Sequence, residues 1–487
     1  MEKKCFILSL ILILFNLCSS DLLIRSPNEL KSQFISKYNF NYNIYIIDET
    51  IKIGLGNFGK IPYGHTIEGR LLFDPNYLPN QYACESITRN AEDTPSVGES
   101  PFILVKKGSC SITQKVRNIE KAGGHVAIII NDKDENVEEL FLADDGHEGD
   151  ISIPAILISQ SDGNKIINYY MQFKDNKEEI KKIRFEIKFD IENKNNIVDF
   201  DIWYTPDTVK VYEFLNDFEK YQKALGDTIK LGIYFVTYPH VQYDPNSFTP
   251  KEDCLGRGLY CIRPGKLGIT DGSVIVLESI KQKCLFDWGV KNEKKDVYLT
   301  FMKTFYENCI KKGDNFNQIC SNDAIYSTGA NIDEINTCIY DSFIGTTQEK
   351  QQTQYQKIFK NQILDKEFEL RKQYLISRVP SITINGRLYI GSWRPEFVFE
   401  ALCAALINKP EACYAEGRFQ REVRGFSGVG TFLIIVIVLF INIVLFIVCK
   451  DYIRRKVFER IRDIDIDTRI DKVVNSYVAL KESKDGP

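Results

Sequence analysis

The chain has 487 residues, with 62 Lys+Arg against 66 Asp+Glu and a net charge of −4, so it lacks the basic excess that a nucleic-acid binder presents. Hydrophobic residues at 44% and charged residues at 26% exclude a wholly disordered chain and a wholly membrane-embedded one. Four histidines and three methionines leave little material for a histidine-based metal centre, and the length suits two or three domains of roughly 100–200 residues each.

At the amino end, Lys3 and Lys4 precede an apolar run from Cys5 to Leu17, and Cys18-Ser19-Ser20 follow. A charged start, a short apolar stretch and small residues before a cut after Ser20 make residues 1–20 a secretory signal, because the run is too short to span a bilayer. Further on, Gly54-Leu55-Gly56-Asn57-Phe58-Gly59 is a formal G-x-G-x-x-G. A dinucleotide fingerprint needs a helix to begin at those glycines, and Pro62, Tyr63 and Gly64 follow at once. They are read as turn glycines.

From Phe102 the chain runs FILV, KKGSC, SITQKVRNIEKAGG and HVAIIIND. The first and last pieces are short apolar runs, hence buried strands. The middle is a helix with marked ends: Ser111 and Gln114 form a capping-box pattern, and Gly123-Gly124 supplies the stop. Ile112, Val116 and Ile119 share one face at i, i+4 and i+7. Together these pieces predict a βαβ-like unit in a compact domain. The acidic run Asp144-Asp145-Gly146-His147-Glu148-Gly149-Asp150 could take a hard cation through its carboxylates. It lacks the spacing of a known loop and is read as solvated charge. Ile153-Pro154-Ala155-Ile156-Leu157-Ile158 predicts another buried strand, with Pro154 at its entrance.

Lys177–Lys188 is charge-rich and stands between the modules, and the domain boundary is placed near residue 195. The chain then passes through Asp199-Phe200-Asp201-Ile202-Trp203-Tyr204, and Lys230 to Val236 predicts a strand. Val379 to Gly391 predicts a hairpin around Asn385-Gly386, the pair favoured where both turn residues need positive φ. Pro395 then opens a helix to about Ile407, with Phe397, Ala401, Leu402 and Ala405 at helical spacing. A proline directly before a hairpin strand, ahead of a last helix, resembles the construction of thioredoxin-like domains, which implies a cis peptide at Pro380. The reactive C-x-x-C of that fold is expected after the first of these strands, where Thr237-Tyr238-Pro239-His240 stands instead. A thiol oxidoreductase needs a low-pKa thiolate and a resolving thiol, and neither is present.

Val429 to Cys449 is 21 residues without a charge, the length of a membrane-spanning helix. Lys450, Arg454, Arg455, Lys456, Arg460 and Arg462 follow it, against Arg418, Arg421 and Arg424 before it. That bias agrees with a cytosolic tail at 450–487. Of thirteen cysteines, Cys5, Cys18 and Cys449 fall in the signal or at the membrane edge. The ten left are Cys84, Cys110, Cys254, Cys261, Cys284, Cys309, Cys320, Cys338, Cys403 and Cys413, an even set that predicts up to five disulfides in an oxidising lumen. No CxxC pair supports zinc. Six of these cysteines lie in the long insertion at 245–370, which is read as a helical, disulfide-stapled lid. No HExxH, no G-x-S-x-G and no cysteine after Cys449 for a zinc RING are found, so metallopeptidase, α/β-hydrolase and ubiquitin-ligase readings fail.

GNFGKIPYGHTIEGRLLF, KKGSCSITQKVRNIEKAGGHVAIIIND and ISIPAILIS resemble the protease-associated domain as it occurs in plant-type vacuolar sorting receptors. ESIKQKCLFDW, FMKTFYENC, INTCIYDSF, VPSITINGRLYIG and VFEALCAALINKPEAC resemble the central domain of the same family, so the resemblance runs colinearly over about residues 45 to 413. The implied architecture is α/β and β-rich multidomain. A protease-associated domain at 21–190, with an N-terminal extension, precedes a thioredoxin-like domain at 195–415 carrying the insertion 245–370. One transmembrane helix follows at 429–449. In the receptors an arginine-glycine-x-cysteine loop contacts the cargo propeptide, and Lys107, Gly108, Ser109 and Cys110 stand in its place. Lysine keeps the charge without the planar fork. The other reading of this loop is structural, with Gly108 making a turn and Cys110 pairing with Cys84; Cys403 with Cys413 is a second pairing of this kind. Two departures are visible. No cysteine follows Tyr204 until Cys254, and only Tyr414 to Gly428 separate Cys413 from the membrane, leaving no room for EGF-like repeats.

The resemblance implies a single-pass type I receptor of the Golgi, trans-Golgi network, endosome or vacuolar compartment, with no enzymatic activity, no cofactor and no metal. It would bind soluble hydrolases or their propeptides in the lumen and engage clathrin-adaptor complexes through its tail. Tyr477-Val478-Ala479-Leu480 fits tyrosine-x-x-bulky-hydrophobic, which an adaptor reads by strand addition with pockets for Tyr477 and Leu480. Release is expected to follow a pH drop, with carboxylates rather than the few histidines (His65, His125, His147, His240) as sensors. The alternatives are a membrane-tethered thiol oxidoreductase or isomerase, and a structural adhesion or scaffold ectodomain.

Overall fold

A computed structural model describes residues 21–414, with breaks at 35, 41–42, 49, 73–80, 88–98, 141, 144, 147–148, 150, 192, 240–251, 266–268, 270, 312–315 and 352–354, together with Arg469 and Lys472. The signal at 1–20, the span at 429–449 and the tail residues Tyr477 and Leu480 lie outside the described residues, as do His147 and His240 and most of the acidic run. Among the described residues no helix is long and apolar enough to cross a membrane.

The first domain is built on an eight-stranded mixed sheet. Its strands are β1 (Asp21–Ser26), β2 (Thr50–Lys52), β3 (Gly54–Leu55), β4 (Thr66–Leu72), β5 (Ser100–Lys106), β6 (Val126–Ile130), β7 (Ala155–Ile158) and β8 (Arg184–Lys188), in the spatial order β2-β1-β8-β4-β5-β6-β7-β3. β4 to β7 run parallel, and the outer pairs are antiparallel. Helix α1 (Ile112–Lys121) connects β5 to β6, and α2 (Gln160–Gln172) follows β7. Phe102, Leu104, Val126, Ile128 and Ile130 pack into one core with Ile166 and Tyr169 of α2. Ile103, Val105, Ala127 and Ile129 pack into the other with Val116 and Ile119 of α1. Burial on both faces is why these strands read as unbroken apolar runs rather than alternating ones. Ser111 caps α1 as its pattern predicts, accepting from the Gln114 backbone N–H at 3.2 Å.

Residues 184–188 correct one expectation. They do not link two modules but form a strand inside the sheet, between β1 and β4. The alternation Arg-Phe-Glu-Ile-Lys buries Phe185 and Ile187 fully, while Glu186 is held by Arg25 and Lys188.

The second domain has a four-stranded sheet of β9 (Val198–Tyr204), β10 (Ile229–Phe235), β13 (Ser381–Ile384) and β14 (Arg387–Leu388), ordered β10-β9-β13-β14. β9 and β10 are parallel across helix α3 (Val209–Leu225), and β13 returns antiparallel to β9. Asn385 (φ +49°) and Gly386 (φ +75°) make the predicted tight turn, and Pro380 follows a cis peptide. Helix α9 (Pro395–Ala405) closes the domain. Between β10 and β13 lies the insertion, which contains the short pair β11 (Cys254–Leu255) and β12 (Tyr260–Cys261) and the helices α4 (Gly272–Lys291), α5 (Val297–Phe305), α6 (Gln318–Ser327), α7 (Ile332–Ser342) and α8 (Gln362–Gln373). Three disulfides staple it: Cys254–Cys261, Cys284–Cys338 and Cys309–Cys320.

The glycine-rich turn at 54–64 joins the two domains. Ser392 N–H donates to the Gly59 carbonyl at 3.0 Å, and the Tyr63 hydroxyl both donates to the Ile390 carbonyl at 2.9 Å and accepts from its N–H at 3.0 Å. Lys60 pairs with Glu400 at 2.8 Å. Gly54, Gly56 and Gly59 allow close backbone approach within the first domain, to Val137, Ala155 and Ile153, while Gly64 packs against Ala404 of the second.

Candidate functional site

The 107–110 loop leaves the carboxyl end of β5, the second of the four parallel strands, and enters α1. Gly108 (φ +108°) and Ser109 (φ +66°) both take positive φ, and the Cys110 N–H closes back on the Gly108 carbonyl at 2.9 Å. Two consecutive positive-φ residues push the chain outward, so Gly108 and Ser109 are the exposed tip.

The base of the loop is tied from three directions. Cys110 is bonded to Cys84, with Cα atoms 5.7 Å apart. The Gln114 side chain donates to the Cys84 carbonyl at 2.8 Å, and Asn118 donates to the Ala83 carbonyl at 2.9 Å. Lys115, 0% exposed, reaches from α1 beneath the loop. Its Nζ donates to the Gly108 carbonyl at 2.5 Å and the Tyr82 carbonyl at 2.6 Å, and lies over the Tyr82 ring at 5.2 Å. Burial pushes its pKa down to about 8. The two short carbonyl contacts and the ring favour the ammonium form at neutral pH.

Lys107 keeps the charge of the position but is already paired. Its ammonium is 2.8 Å from both the Asn131 and the Asp132 side-chain oxygens, and it holds the Asp132 carboxyl below its ordinary range. The loop thus presents a neutral peptide unit and a hydroxyl at its tip, suited to meeting a polypeptide backbone, with the positive charge already matched at its flank. The sequence singled out Lys107, Gly108, Ser109 and Cys110, and the structure brings Lys115, Tyr82, Asn131 and Asp132 to them. A lysine one residue before Val116 gave no sign of burial, because one of the two carbonyls that receive it, that of Tyr82, lies in a segment more than thirty residues away.

The position of a thioredoxin-type redox motif needs correcting. β9, not β10, is the strand flanked by both β10 and the strand that Pro380 opens, with Trp203 opposite Ser381. The residues that leave it toward α3 are Thr205-Pro206-Asp207-Thr208. They form a self-bonded turn, Thr205 Oγ1 donating to Asp207 at 2.6 Å and the Thr208 N–H to the Thr205 carbonyl at 2.9 Å. No cysteine stands here either. All ten cysteines from Cys84 to Cys413 are paired, the last pair being Cys403–Cys413. Among the described residues no group of three or more His, Cys, Asp or Glu side chains is placed to hold a metal ion.

The second domain buries several carboxyls. Glu367 on α8 accepts from the Phe235 N–H at 3.2 Å, and burial pushes its pKa up to about 8, against the pull of Lys283. Asp201 on β9 accepts from Thr383 Oγ1 at 3.2 Å and is pushed up by burial to about 6. Glu278 on α4 is raised by burial as well, within a network of Gln282 and Ser321.

The described domains match known families. The vacuolar sorting receptor thioredoxin-like domain matches residues 198–403, and the PA domain matches residues 67–166. Vacuolar-sorting receptor 1 of Pisum sativum is 25% identical over 390 residues, covering 74% of this chain and 58% of the relative. Vacuolar-sorting receptor 3 of Arabidopsis thaliana is 23% identical over 391 residues, with the same two coverages of 74% and 58%. The match thus spans less than two thirds of these relatives' own length. These relatives are sorting receptors rather than enzymes. Among solved structures, oxidised BdbD from Bacillus subtilis superposes with a TM-score of 0.26 at 13% identity, over 43% of this chain and 86% of that one. That superposition is too loose to carry a statement about chemistry.

Proposed function

Taking as premise that this chain belongs with the vacuolar sorting receptors, through its PA domain and its thioredoxin-like domain alike, we propose that it is a type I transmembrane cargo receptor. Its lumenal domains bind soluble hydrolases or their propeptides. Residues 429–449 span the membrane, and Tyr477 and Leu480 engage clathrin adaptors for transport from the Golgi to endosome, vacuole or lysosome. The observation that carries this reading is the exposed Gly108–Ser109 tip, fixed at its base by Cys84–Cys110 and Lys115. A turn held in one conformation before the partner arrives lowers the ordering cost of binding an extended peptide. Asn131, Asp132 and Lys107 flank the tip and set its polarity.

The test is affinity capture. Full-length chain in detergent micelles, immobilised at neutral pH, is expected to retain specific proteins from the soluble lumenal fraction, and retention of none would contradict the reading. In cells, Tyr477→Ala is expected to shift the chain toward the surface; an unchanged distribution would remove the tail from the account.

A further inference from the structure

The five disulfides sit in different surroundings. Cys254 and Cys261 are both buried, Cys309 and Cys320 are both buried, and Cys284 and Cys403 bury one sulfur side of their bridges. Cys84 and Cys110 are both only half-buried, beside the exposed Ser109. Here, too, an ammonium lies against the sulfurs: Lys115 Nζ is 3.5 Å from Cys110 Sγ and 3.7 Å from Cys84 Sγ. An adjacent cation favours thiolate over thiol, and the lower the pKa of a departing thiol, the faster it leaves.

We propose that the Cys84–Cys110 bridge is a site of thiol–disulfide exchange with a dithiol reductant, and that Lys115 is the positioning residue that assists the departing sulfur. A thiolate of the dithiol attacks Cys84 Sγ and forms a mixed disulfide. The Cys84–Cys110 bond breaks and its electron pair goes to Cys110 Sγ, where the Lys115 ammonium 3.5 Å away stabilises the departing thiolate by its charge until water protonates it. The second thiol of the reductant, having lost its proton to solvent, attacks the reductant's own sulfur in the mixed disulfide. Cys84 leaves as thiolate and is protonated. The dithiol ends as a cyclic disulfide, oxidised by two electrons, and the bridge ends as two thiols. Reduction removes the covalent tie between the loop and the 82–84 segment, leaving hydrogen bonds to hold it: Lys115 Nζ to the Tyr82 and Gly108 carbonyls and the Cys110 N–H to the Gly108 carbonyl. That this controls capture rests on the reading of the loop as a cargo contact.

The experiment treats full-length chain in detergent micelles at pH 7 with graded dithiothreitol, quenches with iodoacetamide and maps the alkylated cysteines. Cys84 and Cys110 are expected to label together, about tenfold ahead of any other pair. Another pair labelling first, or all ten labelling in one step, overturns the proposal. Lys115→Met is expected to slow reduction of this bridge about three- to tenfold, and Lys115→Arg to keep it fast. An unchanged or faster rate in Lys115→Met removes Lys115 from the reaction, and if that variant does not fold, the wild-type labelling order still decides the site. Chain alkylated at Cys84 and Cys110 is then used for capture. Lost capture agrees with the cargo reading; retained capture refutes that reading while the exchange site stands.

Discussion

Glu367 offers the sharpest test of how burial shapes this molecule. Its carboxyl is buried between α8 and the end of β10, one oxygen accepting from the Phe235 N–H at 3.2 Å and the other without a hydrogen-bond partner. Its ordinary value of 4.5 is pushed up to about 8, chiefly by burial. Between those values the folded chain holds a proton that the unfolded chain has released. Stability is therefore full below pH 4.5 and falls as pH rises toward 8. One pH unit of that window is about 1.4 kcal/mol, so the loss from pH 5 to pH 8 comes to about 3–4 kcal/mol. Asp201, raised to about 6 from 3.8, adds a smaller loss of the same sign at the lower end of the range. Glu367→Gln keeps a carbonyl acceptor for Phe235 and removes the ionisation. The expected result is a melting temperature for wild type that climbs on going from pH 8 to pH 5. For the variant, the climb is much reduced, with near-equal stability at pH 5 and a gain of about 3 kcal/mol at pH 8. Differential scanning calorimetry at four pH values reads both slopes. A wild-type midpoint that is flat or falls on acidification, or a variant with the wild-type slope, would refute the argument.

Two further outcomes follow from local geometry. Gly108→Ala meets only the Tyr82 ring at an ordinary 3.7 Å. Its φ of +108°, however, lies in a region that alanine rarely adopts, so the variant is expected to fold with about 1–3 kcal/mol lost at the loop and markedly weaker capture; capture at wild-type strength would dissociate the tip from cargo. Tyr63→Phe removes a hydroxyl that both donates to and accepts from Ile390. It is expected to cost about 1–3 kcal/mol, read as faster proteolysis between the domains, whereas Lys60→Ala, which opens a half-exposed pair, is expected to change little.

What could be read in the sequence was where one physical rule acted alone. The runs at 102–105 and 126–130 are apolar throughout because both faces of their sheet are covered. Ser111 with Gln114, and Asn385 with Gly386, mark a helix start and a turn by side-chain and backbone needs that are local. The failures came where tertiary partners override appearance. Arg184 to Lys188 reads as a charge run, yet its charges are matched by Arg25 and Glu99 while Phe185 and Ile187 go to the core. Asp199 to Tyr204 lies in an inner strand of its sheet despite two aspartates, because Asp201 finds Thr383 across the strands. The loop at 107–110 was visible, but its support was not: Lys115 is stabilised by carbonyls of residues 82 and 108, a placement no periodicity encodes.

Acidification from pH 7 to pH 5 leaves the Lys107–Asp132 pair and the Lys115 ammonium of this loop in place. The charged groups at its base and flank include Lys107, Asp132, Lys133 and Lys115, with Glu85 beside Cys84 and Glu135 accepting from Asn131 at 2.9 Å. Lys107 holds Asp132 below its ordinary 3.8, with Lys133 adding to the effect, so the pair is present above that value and lost only as pH falls through the lowered one. From pH 7 to pH 5 it stays intact. Lys115, with its value near 8, stays charged over the same range. Asp201 and Glu367 take up protons on acidification, but each proton stabilises the fold that positions the thioredoxin-like domain. Those two protonations favour the folded second domain at pH 5 over pH 7; on the proposed reading of the loop, a fall in affinity is expected to originate in ionisable groups of the bound protein. Asp132→Asn is accordingly expected to release captured protein over the same pH interval as wild type, measured by stepwise acid elution from the immobilised chain. Loss of acid release in that variant would place the sensor in the Lys107–Asp132 pair and overturn this assignment.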